Sequence, residues 1–197
     1  MSFVDILREA DRHILLAINR AHTPALDALM GFASDRDVWF PAYGLLFLGL
    51  IYWFRRRAGL LLPLLLLAVS LADSITSRLF KPFFARLRPC HSPDLAALLH
   101  LPAGCGGQFG FLSSHAANTM ALAVFLALVL PGGRALRVFK ILIFGWATLL
   151  SYSRIYLGAH YLSDVLGGAA VGALLAWAAA TAYRQLARRW WPAGAGL

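Results

Sequence analysis

Charged residues are scarce in this chain: 14% of its 197 residues, against 60% hydrophobic. A soluble domain of ordinary composition carries about 25% charged residues, so that class is excluded. A mean hydropathy of +0.68 points instead to an integral-membrane domain. Acidic residues are scarcer still, nine against eighteen Lys and Arg. The resulting charge of +9 does not indicate a nucleic-acid partner. The basic residues stand at the ends of apolar runs, where they act as topology signals and headgroup contacts. Cysteine is limited to Cys90 and Cys105, with no C-x-x-C element. No repeat or low-complexity segment is present. The N-terminal stretch shows neither an Arg-rich transit peptide nor a short apolar core with a small-residue cleavage site. One membrane domain over 1–197 is the expected organisation.

What is there is arranged in apolar runs. Five of them, at about 38–54, 60–80, 115–131, 138–154 and 162–183, approach the roughly 20 residues that span a hydrocarbon core. The prediction is an all-α helical bundle of about five transmembrane helices over 38–183, with a polar loop at 81–114 and a cytoplasmic tail at 184–197. Ahead of it lies an amphipathic segment, 1–36. Within residues 1–20, Phe3, Ile6, Leu7, Ile14, Leu15 and Ile18 recur at helical spacing between charges. That pattern predicts a helix lying in the membrane interface, with a leader helix packed on the rest as the alternative.

Orientation follows from the links. The short links 55–59 and 132–137 and the tail are basic, and placing them inside puts 81–114 and the 153–162 turn outside. Lys and Arg then tie at nine a side, but all nine acidic residues fall on the outer half. In an oxidising outer compartment Cys90 and Cys105 can close a disulfide, worth on the order of 3 kcal/mol for a ring of about 15 residues. Free thiols, or a zinc site with His91 and His100, remain the alternatives.

Three separated pieces carry polar chemistry on that outer face: "KPFFARLRP" with Lys81 and Arg88, "LSSH" at 112–115, and "SRIYLGAHYLSD" with Ser153, Arg154, His160 and Asp164. Each has a plain reading alone, as an interfacial anchor, a structural histidine or an i,i+4 ion pair. Arg154 resists it, because it follows the apolar run 138–152, and ionisable groups at such depth tend to be paired or functional. His160 and Asp164, four apart, are expected on one helix face. Together the pieces supply three cations, two imidazoles, a carboxylate and hydroxyl donors. Cations and donors suit a phosphoryl group, whose oxygens carry charge during transfer. Two imidazoles suit a nucleophile and a general acid.

The order Lys-x6-Arg-Pro, Ser-x-His, Ser-Arg-x5-His-x3-Asp resembles the type 2 phosphatidic acid phosphatase superfamily. That family includes lipid phosphate phosphatases and undecaprenyl-diphosphate phosphatases, and shares its motif with vanadium haloperoxidases. The resemblance covers about 73–175. It departs at the second motif, where the usual Pro-Ser-Gly-His is Leu112-Ser113-Ser114-His115, and in lacking the first of the family's six usual spans.

The resemblance implies that His160 attacks phosphorus, Asp164 orients it, and His115 protonates the leaving oxygen and then activates water. Lys81, Arg88 and Arg154 would hold phosphate oxygens, with Ser113 and Ser114 completing the cradle at a helix N-terminus. Asn118, nearly one turn after His115, is expected to orient His115 or the headgroup, or else to bond between helices. The segment 90–109, with Gln108, is the expected place for headgroup selection. No cofactor and no metal are implied, and the partners are the membrane and a lipid phosphate within it. The expected setting is a bacterial inner membrane with the site facing outward. Undecaprenyl diphosphate is the first expected substrate, followed by lipid A, phosphatidylglycerophosphate and phosphatidic acid. The reading of another class is a non-catalytic lipid-binding or flipping protein, which needs no imidazole pair.

Overall fold

The computed structural model describes residues 2–191. Among them there are helices and loops but no β-strand; one isolated bridge joins Leu87 to Phe109. Helix α1 spans Phe3–Arg20 and α2 spans Pro24–Ser34. Both start on sequence signals: Ser2 and Asp5 form a reciprocal capping box, and Thr23 caps α2 with Pro24 in its first turn. Next come α3 (Phe40–Phe54) and α4 (Ala58–Ser74), separated at Arg55, whose φ of 52° breaks the helical path. The chain continues from α4 through a π-helical segment, Ile75–Phe80, into the short α5, Lys81–Phe84. A long loop follows. Then come α6 (Ser114–Val129), α7 (Arg134–Tyr156) and α8 (Leu162–Trp190).

Among the described residues, three runs are long and apolar enough to cross a membrane: Asp37–Phe84, Arg134–Tyr156 and Leu162–Trp190. Ser114–Val129 is a shorter apolar helix. Their outer faces expose Leu45, Leu48, Leu67, Ile141, Leu142 and Trp177. Apolar surface on that scale is untenable in water and ordinary in lipid, as befits a membrane protein.

Side-chain contacts define the two ends of the bundle. At one end Phe54 meets Tyr183, Arg57 lies over Trp191, Arg184 donates to the Leu128 carbonyl, and Lys140 Nζ donates to the Leu130 carbonyl at 2.8 Å. At the other end Ser114 meets Thr76, and Ser113 N donates to the Asp164 carbonyl at 2.9 Å. The basic links and the start of the tail therefore gather at one end, and the polar loop and the 157–161 turn at the other. The main core, with Leu61, Leu65, Ala121, Phe125, Leu126, Ala147, Ala176 and Ala180, lies between α3, α4, α6, α7 and α8.

Helices α6 and α8 approach closely because small residues line the crossing. A Cβ on Gly172 would fall 2.0 Å from the Ala117 carbonyl oxygen, and one on Gly168 would fall 2.3 Å from that of Ser113. This small-residue packing brings the mouth of α6 against the first turns of α8.

Several expected boundaries shift. The loop expected at 81–114 begins after Phe84, because Lys81–Phe84 prolongs the helix. Helix α7 gains a turn at its start and ends at Tyr156. Helix α8 runs to Trp190 rather than ending near 183, since Arg188 and Arg189 suit a helix C-terminus. The tail expected at 184–197 is thus helical at first, and residues 192–197 lie outside the described residues. The N-terminal segment forms two helices rather than one. Val4, Ile6 and Leu7 of α1 are exposed, but its opposite face buries Asp11, Leu15 and Asn19 against the rest of the chain. Apolar periodicity does not register that face, because two of its three buried side chains are polar. Asn19 donates from Nδ2 to the carbonyls of His100 and Tyr156, at 2.8 Å each.

Candidate active site

Every expected site residue is carried by the polar end of the bundle. Lys81 opens α5, and Arg88 follows in the loop, buried at 8% exposure. Arg88 Nε donates to the Phe109 carbonyl at 3.3 Å, and its Nη1 reaches the Ala159 carbonyl at 3.5 Å. That second contact places Arg88 beside the residue preceding His160. Burial lowers the Arg88 pKa, with the Asp164 charge opposing.

Ser113 is the N-cap of α6, its hydroxyl accepting from Ala116 N at 3.4 Å. Its own N–H is taken by the Asp164 carbonyl. Ser114 begins the helix, and its hydroxyl receives Lys81 Nζ at 3.0 Å and Thr76 Oγ1 at 2.9 Å. The first N–H groups of a helix have no intrahelical acceptor, which leaves those of Ser114 and His115 at the mouth. His115 is half-buried there, within range of the charges of Arg154, His160, Lys81 and Arg88.

His160 does not lie on a helix. It precedes α8 by two residues, and Asp164 sits in the first turn. The expected shared helix face is therefore corrected: Asp164 folds back to accept Tyr161 N at 3.0 Å, as a residue three positions after an N-cap does. The same Oδ2 lies 3.6 Å from His160 Nδ1, a little beyond hydrogen-bond reach. Both side chains are inaccessible to solvent, at 1% and 0%. Burial pushes the His160 pKa down to about 4; Asp164 opposes this, and the Arg88 and Arg154 charges reinforce it. The imidazole is thus neutral at physiological pH. With Nδ1 toward the carboxylate, Nε2 is the free nitrogen.

Arg154 lies in the last turn of α7 and donates to the Ser34 hydroxyl at the end of α2. Its Nε is buried with no partner among the described residues. Asn118 Nδ2 donates to Asp73 Oδ1 at 3.0 Å, tying α6 to α4. Gln108 is exposed, and its carbonyl accepts Arg88 N at 3.0 Å. Cys90 and Cys105 form a disulfide with Cα atoms 5.9 Å apart. It closes the loop behind Arg88, where a Cβ on Gly106 would lie 3.4 Å from Arg88 Nη1.

Two further residues join this site. Arg86 Nη1 donates to Asp164 Oδ1 at 2.7 Å and to Ser163 Oγ at 2.7 Å, and its Nη2 donates to Asp11 Oδ2 at 2.7 Å. Its guanidinium lies 4.1 Å over the Tyr161 ring. Asp11, on α1, also accepts Ser163 N at 2.9 Å. Arg86 therefore clamps Asp164 between the loop and the N-terminal helix. It stood in view within "KPFFARLRP", two residues before Arg88. Asp11 carries no sequence signal, since its partner lies 75 residues away.

The arrangement offers a neutral imidazole beside a carboxylate, a second imidazole, three cations and free helix N–H groups. It is equipped for nucleophilic displacement at a phosphoryl centre. Comparison with known proteins agrees. Residues 58–188 match the PAP2 superfamily. The chain is 30% identical over 195 residues to a lipid A 4'-phosphatase of Porphyromonas gingivalis, covering 95% of this chain and 78% of that protein. It is 34% identical over 177 residues to a lipid A 4'-phosphatase of Bacteroides thetaiotaomicron, covering 88% and 77%. It superposes with a TM-score of 0.70, at 25% identity and over 92% of this chain and 88% of the other, on the crystal structure of a transmembrane PAP2-type phosphatidylglycerolphosphate phosphatase from Bacillus subtilis. By motif, fold and relatives alike, this chain belongs to the PAP2 superfamily and is a phosphate ester hydrolase.

Proposed function

We propose that the chain removes a phosphate from a membrane lipid through a phosphohistidine on His160, without a metal at the phosphoryl centre. The observation that carries this reading is the convergence of Lys81, Arg88, His115, Arg154, His160 and Asp164, from separate segments, at one end of an apolar bundle. His160 Nε2 attacks phosphorus, and Asp164 supports the imidazolium that develops. His115 donates a proton to the departing lipid oxygen, then takes one from the water that cleaves the phosphohistidine. Lys81, Arg88 and Arg154 neutralise the phosphoryl oxygens, and the unpartnered Arg154 Nε suits such a contact. The N–H groups of Ser114 and His115 add donors at the α6 mouth. In this cradle the Ser113 and Ser114 hydroxyls act mainly by holding the α6 cap and Lys81 in place.

On this reading α3, α4, α6, α7 and α8 each cross the membrane, with the site at the outward face and α1 at the interface above it. The disulfide supports that orientation, because its compartment must be oxidising. So does the basic, acid-free opposite end, with Arg55, Arg56, Arg57, Arg134, Arg137 and Lys140.

For the lipid we favour the 4'-phosphate of lipid A, because two relatives of that activity match nearly the whole chain. A phosphatidylglycerophosphate is the second reading, favoured by the structural neighbour. Undecaprenyl diphosphate ranks behind both. Phosphate release from a panel of these lipids in detergent micelles, with His160→Ala as control, tests class and substrate together. Release from lipid A in the wild type alone is expected. Undiminished release by folded His160→Ala, or abolition by EDTA of release from wild-type enzyme that stays folded, would overturn the mechanism.

A further inference from the structure

A second cluster of chemistry-bearing side chains lies apart from the phosphoryl site. His22 follows α1, Asp27 lies on α2, and His100 belongs to the long loop. Their potential ligand atoms all lie within 4.8 Å of one another. His100 Nε2 is 2.9 Å from Asp27 Oδ2, and the His22 ring stacks on that of His100 with centroids 3.8 Å apart. The site is braced from behind. Tyr156 donates its hydroxyl to Asp27 Oδ1 at 2.7 Å, leaving Oδ2 toward the imidazoles. Asn19 grips the His100 backbone at both polar atoms, at 2.8 Å each.

We propose that His22, Asp27 and His100 bind one divalent transition cation of the zinc class, with water completing the shell. Two imidazoles and one carboxylate select zinc, nickel or cobalt over magnesium and calcium, which prefer all-oxygen shells. The orienting hydroxyl behind Asp27 is the kind of outer partner that metal-bound carboxylates use. Zinc–ligand bonds of about 2.0–2.1 Å in a tetrahedral shell put donor atoms roughly 3.3 Å apart, so His100 and Asp27, at 2.9 Å, need part only slightly while His22 closes on them. His22 can supply that movement, because it is exposed and lies between α1 and α2. The role is structural. The ion would clip the α1–α2 turn to the long loop, on the α2 helix whose end meets Arg154 through Ser34. The other candidate group, Cys90, His91 and Cys105, has its sulfurs in the disulfide and offers no thiolate.

The test uses the full chain without a polyhistidine tag, in detergent and without reductant, after chelator treatment and dialysis. Zinc is titrated against a chromogenic chelator, and thermal unfolding is followed with zinc and with magnesium. Expected are one equivalent of zinc bound and a rise in midpoint of about 5 °C at a hundredfold excess over Kd, with no rise from magnesium. His22→Ala and His100→Asn should each weaken zinc binding by about tenfold or more and cut the thermal shift at that zinc concentration to about half or less. Phosphate release by His22→Ala without metal should equal that of the wild type. His22→Ala, an exposed change, decides the matter if His100→Asn does not fold. Absence of saturable zinc binding, or unchanged affinity in His22→Ala, would overturn the proposal.

Discussion

On the proposed mechanism His160 carries a requirement that burial satisfies. A nucleophilic imidazole must be neutral, and burial pushes its pKa down to about 4. An imidazole in the unfolded chain takes up a proton near pH 6.5. Between those values the unfolded state binds a proton that the native state excludes, so stability falls as pH is lowered from about 6.5 to about 4. Thermal unfolding in detergent should show this slope in the wild type and a flatter one in His160→Asn. On the same mechanism Arg86 would act as a positioning residue. Arg86→Gln removes the cation from Asp164 Oδ1 and Asp11 while touching no substrate atom on this account. We expect kcat to fall on the order of a hundredfold, as misplacement of a catalytic group does, with KM nearly unchanged and partial rescue by Arg86→Lys. A rise in KM alone would assign Arg86 to binding instead. Sequence spacing exposed Lys81, Arg88, His115, Arg154, His160 and Asp164, because local motifs carry them. It did not expose Asp11, because a contact across 75 residues leaves no local pattern.

At the scale of elements, the crossing of α6 and α8 sets the relation between the helix mouth and Asp164. Gly172 and Gly167 provide contrasting probes. A Cβ at Gly172 meets backbone, the Ala117 carbonyl oxygen at 2.0 Å, and the helices must part. A Cβ at Gly167 meets only the Leu112 side-chain tip, at 2.4 Å, which can rotate away. Gly172→Ala should destabilise the protein by about 1–3 kcal/mol, and Gly167→Ala by less than about 1 kcal/mol. Equal shifts in thermal midpoint would show that this crossing does not set the packing. Apolar runs revealed the helices themselves, because the membrane selects length and hydropathy. They gave the ends less well: the helix continues past Lys81-Pro82, a pair that reads as a stop, to Phe84, and the continuation to Trp190 carries Arg184, Gln185, Arg188 and Arg189.

At the scale of the whole molecule, polar chemistry is segregated to one end, and loop and N-terminal helices close over it. The Cys90–Cys105 disulfide fixes part of that cover. Replacing both cysteines by serine should cost about 3 kcal/mol in the chain-entropy model and raise KM, since Arg88 stands two residues from Cys90. An unchanged midpoint and KM would separate the loop from substrate binding. The two ends of the bundle were legible from the basic links together with the one-sided acids, and the cysteine pairing only as the favoured consequence of that placement. The docking of α1 was not, because its buried face relies on Asp11 and Asn19 rather than on apolar side chains. A phosphohistidine on His160 is open to a single test: a rapid acid-free quench of the enzyme with lipid substrate labelled in its phosphate, followed by mapping of protein-bound label. A phosphohistidine that is labile in acid and stable in base is expected on His160, and none in His160→Ala. Label on another residue, or turnover by His160→Ala at the wild-type rate, would contradict the account.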